Sequence, residues 1–125
     1  MAKVLVIEDN AANMKLASLL LTNAHHDVLC AFDAEIGLTM ARQELPDLIL
    51  MDIQLPGMNG LAATALLKQD RVTAGIPVIA LTAMAMKEDQ EKSRRAGCDA
   101  YLVKPLGYRQ LYAAINALLP DETYS

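Results

Sequence analysis

Tryptophan is absent from this 125-residue chain and phenylalanine occurs once, so a core has to be assembled from aliphatic side chains and methionine. Cysteine is scarce. Cys30 and Cys98 form no CxxC pair, and the expectation is two buried free thiols of a reduced cytoplasm rather than a disulfide. No run of 18 apolar residues occurs, which excludes a membrane-inserted helix. Basic residues are the minority, 11 against 15 acidic, for a net charge of −4. With no basic excess to displace counterions, nucleic acid is not an expected partner. Met1-Ala2-Lys3 runs directly into an apolar segment, so no secretory leader is expected and the predicted location is cytoplasmic. His25-His26 falls in a polar turn and reads as a solvated loop rather than a metal site.

What is present is an alternation. The chain is 54% hydrophobic, and a chain of this length forms one domain that buries roughly two-thirds of its unfolded surface. Short β-rich runs occur near 3–8, 27–31, 47–51, 77–81 and 100–103. Helix-length stretches lie between them, near 11–23, 34–44, 59–69, 86–96 and 107–119. Met14, Leu16, Ala17, Leu20 and Leu21 recur at helical spacing in the first, and Leu111, Ala114, Ile115 and Leu118 in the last. Asn10 suits a helix cap, Gly97 a helix stop, and Pro46, Pro77 and Pro120 fall outside helix interiors. Strands alternating with helices imply right-handed βαβ units and a parallel sheet. Val4–Ile7, Leu48–Met51 and Val78–Leu81 lack polar alternation, as strands covered on both faces should. The run at 27–31 is weaker and suits an edge. The expected architecture is a three-layer (βα)5 sandwich without repeats or an interdomain linker.

The polar residues that break these apolar runs are of one chemical kind. Glu8 and Asp9 close the first run, Asp52 the third and Thr82 the fourth, while Lys104 follows the fifth. In open parallel sheets, ligands bind at the carboxyl ends of the strands. Three carboxylates, a hydroxyl and an ammonium at that edge suit phosphoryl chemistry with a divalent metal. An aspartate can accept a phosphoryl group as a nucleophile. Bringing an anionic donor to three carboxylates is repulsive unless a cation intervenes, and Mg2+ is a hard, oxygen-preferring ion.

Five segments in order carry a family resemblance: Val6-Ile7-Glu8-Asp9-Asn10, Asp47-Leu48-Ile49-Leu50-Met51-Asp52, Pro56-Gly57-Met58-Asn59-Gly60, Leu81-Thr82-Ala83 and Lys104-Pro105. With them the chain resembles response-regulator receiver domains from Lys3 to about Leu119. The resemblance implies a flavodoxin-like sheet of order 2-1-3-4-5, a receiver domain over 1–120 and a tail over 121–125. It also implies Asp52 as phosphoacceptor, with Glu8, Asp9, Asp52 and the Gln54 backbone carbonyl around Mg2+, or Mn2+ in its place. Lys104 and Thr82 would contact the phosphoryl group, and a cis peptide would precede Pro105. Tyr101 would be the aromatic partner of Thr82 in a conformational switch. Gln54 and Met84, two positions after Asp52 and Thr82, would border the approach of hydrolytic water. The thioether of Met84 cannot donate a hydrogen bond, so a long-lived phosphoryl group is expected.

The Glu8-Asp9-Asn10-x-x-Asn13 pattern is similar both to stand-alone cell-cycle regulators of this family and to receivers fused to hybrid histidine kinases. The start at Met1 directly before the first strand favours the stand-alone reading, and with the end at Ser125 the output is expected to be a surface rather than a further domain. A histidine kinase or phosphotransfer protein would supply the phosphoryl group, and a downstream signalling protein would read the result. Where transcription-factor receivers carry arginines along the last helix, this chain has Ala114 and Asn116. An apolar partner face of Tyr101, Tyr108, Leu111 and Tyr112 is expected instead. No enzymatic activity beyond self-phosphorylation and autodephosphorylation is expected. Haloacid-dehalogenase phosphatases also use an aspartate, a Thr, a Lys and Mg2+, but they place a second Asp two residues after a first-strand nucleophile. Ala11 stands at that distance from Asp9. A flavodoxin-like FMN carrier fits less well, because the acidic loop after the first strand should repel phosphate.

Overall fold

The computed structural model describes residues 2–83 and 86–119. Ten elements alternate strictly: β1 (Lys3–Ile7), α1 (Ala11–Asn23), β2 (Asp27–Ala31), α2 (Ala34–Glu44), β3 (Leu48–Asp52), α3 (Gly60–Gln69), β4 (Val78–Thr82), α4 (Lys87–Ala96), β5 (Ala100–Val103) and α5 (Tyr108–Leu118). The five strands form one parallel sheet in the order β2-β1-β3-β4-β5. This is the expected flavodoxin-like sandwich. Met84 and the predicted tail at 121–125 lie outside the described residues.

Side chains alternate across the pleat, so each central strand feeds two cores. Val4, Val6, Leu48, Leu50, Ile79 and Leu81 pack with Met14, Ala17 and Leu21 of α1 and with Leu111 and Ile115 of α5. Leu5, Ile7, Ile49, Met51 and Val78 face the other way, onto Ala34 and Ala41 of α2 and Ala63 and Leu67 of α3. The uniformly apolar runs are thereby explained, since β3 and β4 are buried along their whole length. The more polar β2 is indeed an edge.

Local signals end the helices where expected. The Asn10 side chain accepts a hydrogen bond from the Asn13 amide at 2.9 Å, capping α1. Gly97 terminates α4 at φ 108°, a left-handed conformation that disfavours a Cβ. The Lys104–Pro105 peptide is cis. Two expectations need correction. Cys30 and Cys98 are free thiols, but Cys30 is exposed because it sits on the edge strand, and Cys98 is only half-buried. His26 is not simply solvated: its Nδ1 accepts a hydrogen bond from the Ala2 amide at 3.1 Å.

Candidate functional site

Register brings the polar strand ends together. Ile7 pairs with Met51, so Glu8 and Asp52 leave neighbouring strands side by side. Thr82 pairs with Val103, and the Lys104 amide donates to the Thr82 carbonyl at 2.7 Å. Glu8 and Asp52 are 1% and 2% exposed, so both carboxylates are withdrawn from water. Such burial is costly without a counter-charge. Lys104 supplies it: its Nζ lies 2.8 Å from Glu8 Oε1 and 3.1 Å from Asp52 Oδ2.

One ammonium does not balance two buried acids. Burial and the adjacent Glu8 push the Asp52 carboxyl up to about 6, against the pull of the Gln54 amide and of Lys104. For Glu8, burial also opposes ionisation. The Lys104 ammonium, the hydrogen bond with Asp52 and the Asn10 amide outweigh it and hold Glu8 below its ordinary range. Burial would lower Lys104, but the two acids outweigh it and raise it. Without further positive charge, Asp52 is therefore the member of the cluster that takes up a proton.

The cluster also fits a divalent cation. Glu8, Asp9 and Asp52 each offer an oxygen within 4.8 Å of the others, Asp9 from the exposed side. Buried Glu8 Oε1 accepts no well-directed hydrogen bond. The 2.8 Å approach of Lys104 is thus a charge contact that leaves a lone pair unused. Three hard oxygen donors around such an atom match the preference of Mg2+. Gln54 donates its backbone amide to Asp52 Oδ1 at 3.0 Å and so orients the carboxylate, while its side chain is exposed.

Thr82 is 2% exposed at the end of β4. Its hydroxyl is near enough to the half-buried Tyr101 phenol on β5 to favour the ionised phenol, so the two expected switch residues are neighbours. Burial and the nearby Asp89 carboxylate push the Tyr101 phenol above its ordinary range, against the opposing effect of Thr82.

The expected partner face is only partly a surface. Leu111 is 0% exposed and belongs to the core: it shares one side of α5 with Ile115, four residues on, and that side lies on the sheet. Tyr112 packs at the margin of the same core and donates its hydroxyl to the Leu20 carbonyl of α1 at 2.7 Å. Tyr108 is 53% exposed, with its ring centroid 6.1 Å from that of Tyr112 and the Arg109 guanidinium 5.8 Å from its own.

Gly60 has a role that reading the chain missed. A Cβ there would lie 2.1 Å from the Asp52 carbonyl oxygen, so the first residue of α3 is pressed against the backbone of Asp52. The Gly60 amide also donates to the Ile53 carbonyl at 2.8 Å. Its place in the Pro56–Gly60 segment was visible, but nothing in spacing reveals a backbone approach across eight residues. Asn10 was legible as a cap, yet its amide also donates to Glu8 Oε2 at 3.1 Å.

Residues 4–116 match the family model described as the response regulator receiver domain. This chain is a response-regulator receiver. Over 118 residues it is 43% identical to the polar-differentiation response regulator DivK of Brucella ovis, covering 94% of this chain and 96% of DivK. The chemotaxis protein CheY4 of Vibrio cholerae superposes with a TM-score of 0.90 at 26% identity, covering 95% of this chain and 99% of that one. The receiver domain of the sensor histidine kinase PA1611 of Pseudomonas aeruginosa gives a TM-score of 0.88 at 29% identity, covering 95% and 98%. That receiver holds a magnesium ion coordinated in its active-site cleft. Among the described residues of the present receiver, no helix is long and apolar enough to cross a membrane.

Proposed function

We propose that this receiver is a DivK-like response regulator of a phosphorelay that accepts a phosphoryl group on Asp52. The observation that carries the reading is Lys104 Nζ placed between Glu8 and Asp52 at the carboxyl edge of the sheet. Asp52 in its ionised form attacks phosphorus through a carboxylate oxygen. The bond to the donor's phosphohistidine nitrogen breaks, and that nitrogen keeps the electron pair. The Gln54 amide holds Asp52 Oδ1, which leaves Oδ2 on the Lys104 side for attack. Lys104 stabilises charge on the transferring phosphoryl oxygens, and the Thr82 hydroxyl donates a hydrogen bond to one of them. Glu8, Asp9, Asp52 and the Gln54 carbonyl would hold Mg2+, with Mn2+ as the substitute. Held there, the ion would supply the positive charge that offsets the carboxylates and the incoming phosphoryl group.

Once Thr82 turns to the phosphoryl group, its hydroxyl moves away from the Tyr101 phenol. The face formed by Tyr101, Tyr108 and the exposed part of Tyr112 then changes its affinity for a downstream partner. The donor is a histidine kinase or a phosphotransfer protein, and the cell compartment is the cytoplasm. Of the two positions expected beside the hydrolytic approach, Gln54 can hydrogen-bond a water, whereas the thioether of Met84 cannot donate and would prolong the phosphorylated state. The rival reading is a receiver belonging to a hybrid kinase, favoured by the likeness to the PA1611 receiver. Phosphotransfer from purified kinases separates the two, because a receiver fused to its kinase takes phosphate from that kinase in preference to others. Acetyl phosphate should label wild type only with Mg2+ present, and Asp52→Asn should take no label.

A further inference from the structure

The start of α3 joins two structural requirements that together create a chemical liability. Asn59 caps the helix: its Oδ1 accepts from the Ala62 amide at 2.9 Å and its carbonyl from the Ala63 amide at 3.1 Å. The next residue has no room for a side chain, because a Cβ at Gly60 would meet the Asp52 carbonyl oxygen. A capping asparagine followed by an obligatory glycine gives Asn-Gly, a pair that occurs nowhere else in the chain. Asn59 is exposed, as are Pro56 and Gly57 before it.

A glycine leaves its own amide nitrogen unshielded and its backbone free to turn. The Gly60 nitrogen can then bond to Cγ of Asn59, closing a succinimide ring. The Cγ–Nδ2 bond breaks, and ammonia leaves carrying the proton of the Gly60 amide. Water opens the ring at either carbonyl, giving aspartate or isoaspartate, and in the latter the main chain runs through Cβ and Cγ. In the folded chain the Gly60 amide is held by the Ile53 carbonyl at 2.8 Å and the Asn59 carboxamide by the Ala62 amide. Folding therefore slows the reaction, which proceeds when the first turn of α3 frays.

We propose that Asn59 is a site of spontaneous deamidation, and that its isoaspartate product silences Asp52. The second half rests on the reading of Asp52 as phosphoacceptor. Isoaspartate lengthens the main chain by one carbon directly before the glycine that abuts the Asp52 backbone. It also removes the main-chain carbonyl that accepts from Ala63, so Gly60 and the loop from Ile53 are pushed off Asp52. Ordinary aspartate keeps both the main chain and the cap, and leaves Asp52 competent.

Ageing the whole chain in warm, mildly alkaline buffer, folded and in urea, followed by peptide mapping, tests this. Asn59 should deamidate ahead of the chain's other asparagines, and about tenfold or more faster in urea than folded. The isoaspartate fraction, separated by chromatography, should melt lower than fresh protein and be labelled by acetyl phosphate about tenfold or more slowly. Isoaspartyl methyltransferase, which returns isoaspartate to aspartate, should restore the labelling. Asn59→Ser keeps a capping oxygen but has no carboxamide, so ageing should change neither its mass nor its labelling. The proposal is overturned if Asn59 in the folded chain deamidates no faster than the other asparagines. It is equally overturned if the isoaspartate fraction melts and labels like fresh protein. If fresh protein takes no label at all, the phosphoacceptor reading fails instead, and the mapped product with its melting temperature decides this one.

Discussion

Replacing Asp52 with Asn should make the metal-free protein more stable, and the size of the effect can be worked from the site. The Asp52 carboxyl moves from 3.8 to about 6 on folding. At 1.36 kcal/mol per unit, keeping it ionised at neutral pH costs the folded state on the order of 2–3 kcal/mol. Asn preserves volume, still accepts from the Gln54 amide, and can donate to Glu8 from its amide nitrogen. The variant therefore escapes the penalty without opening a cavity. The sign follows from proton binding: between pH 3.8 and about 6 the folded state holds more of this proton than the unfolded state. Wild type thus loses stability across that window as pH rises, and the loss is complete above it. In chelator at about pH 7.5, Asp52→Asn should melt roughly 10 °C above wild type. The gap should close as the pH falls through 6 towards 4. Saturating Mg2+ should also narrow it, because the ion binds the folded wild type better than the variant. Chelated urea or thermal melts of both proteins across pH would decide the matter. A variant no more stable than wild type at neutral pH, or a gap that persists at pH 4, would refute the reasoning.

Gly60→Ala drives a methyl group into the Asp52 carbonyl, so it should cost about 2 kcal/mol or more and slow labelling beyond what the stability loss explains, as read by melts and acetyl phosphate time courses. Thr82→Ala should still be labelled on Asp52, but beryllofluoride should no longer shift the amide resonances of β5 and α5 as in wild type. Met84→Glu should shorten the phosphorylated lifetime severalfold in a phosphate-release time course, since a carboxylate can orient water and a thioether is at most a weak acceptor.

The architecture was legible because a doubly covered parallel sheet forces long apolar strands such as Leu48–Met51, which no amphipathic helix imitates. Polar residues ending such strands then fall on one edge by topology alone, and register does the rest for Glu8, Asp52, Thr82 and Lys104. Helix α4 could be placed only by its flanks, since it has no apolar stripe to reveal it. Properties that depend on distant packing were not legible. Leu111 and Tyr112 are adjacent and both bulky, and only the phase of α5 against the sheet decides which is core. The exposure of Cys30 depends on how far the edge strand is overlaid by α1. The approach of Gly60 to Asp52 depends on the path of the intervening loop. The split between Glu8 and Asp52 depends on which acid the Asn10 and Gln54 amides reach and on the position of one lysine nitrogen.

The central claim is that Asp52 accepts the phosphoryl group with the help of a cation held beside it. Intact-mass spectrometry after incubation with acetyl phosphate, with Mg2+ and with chelator, measures this most directly. The account predicts one phosphoryl adduct per wild-type chain that requires Mg2+ and is lost in Asp52→Asn. An adduct of equal yield on Asp52→Asn, or one formed equally well in chelator, would contradict it.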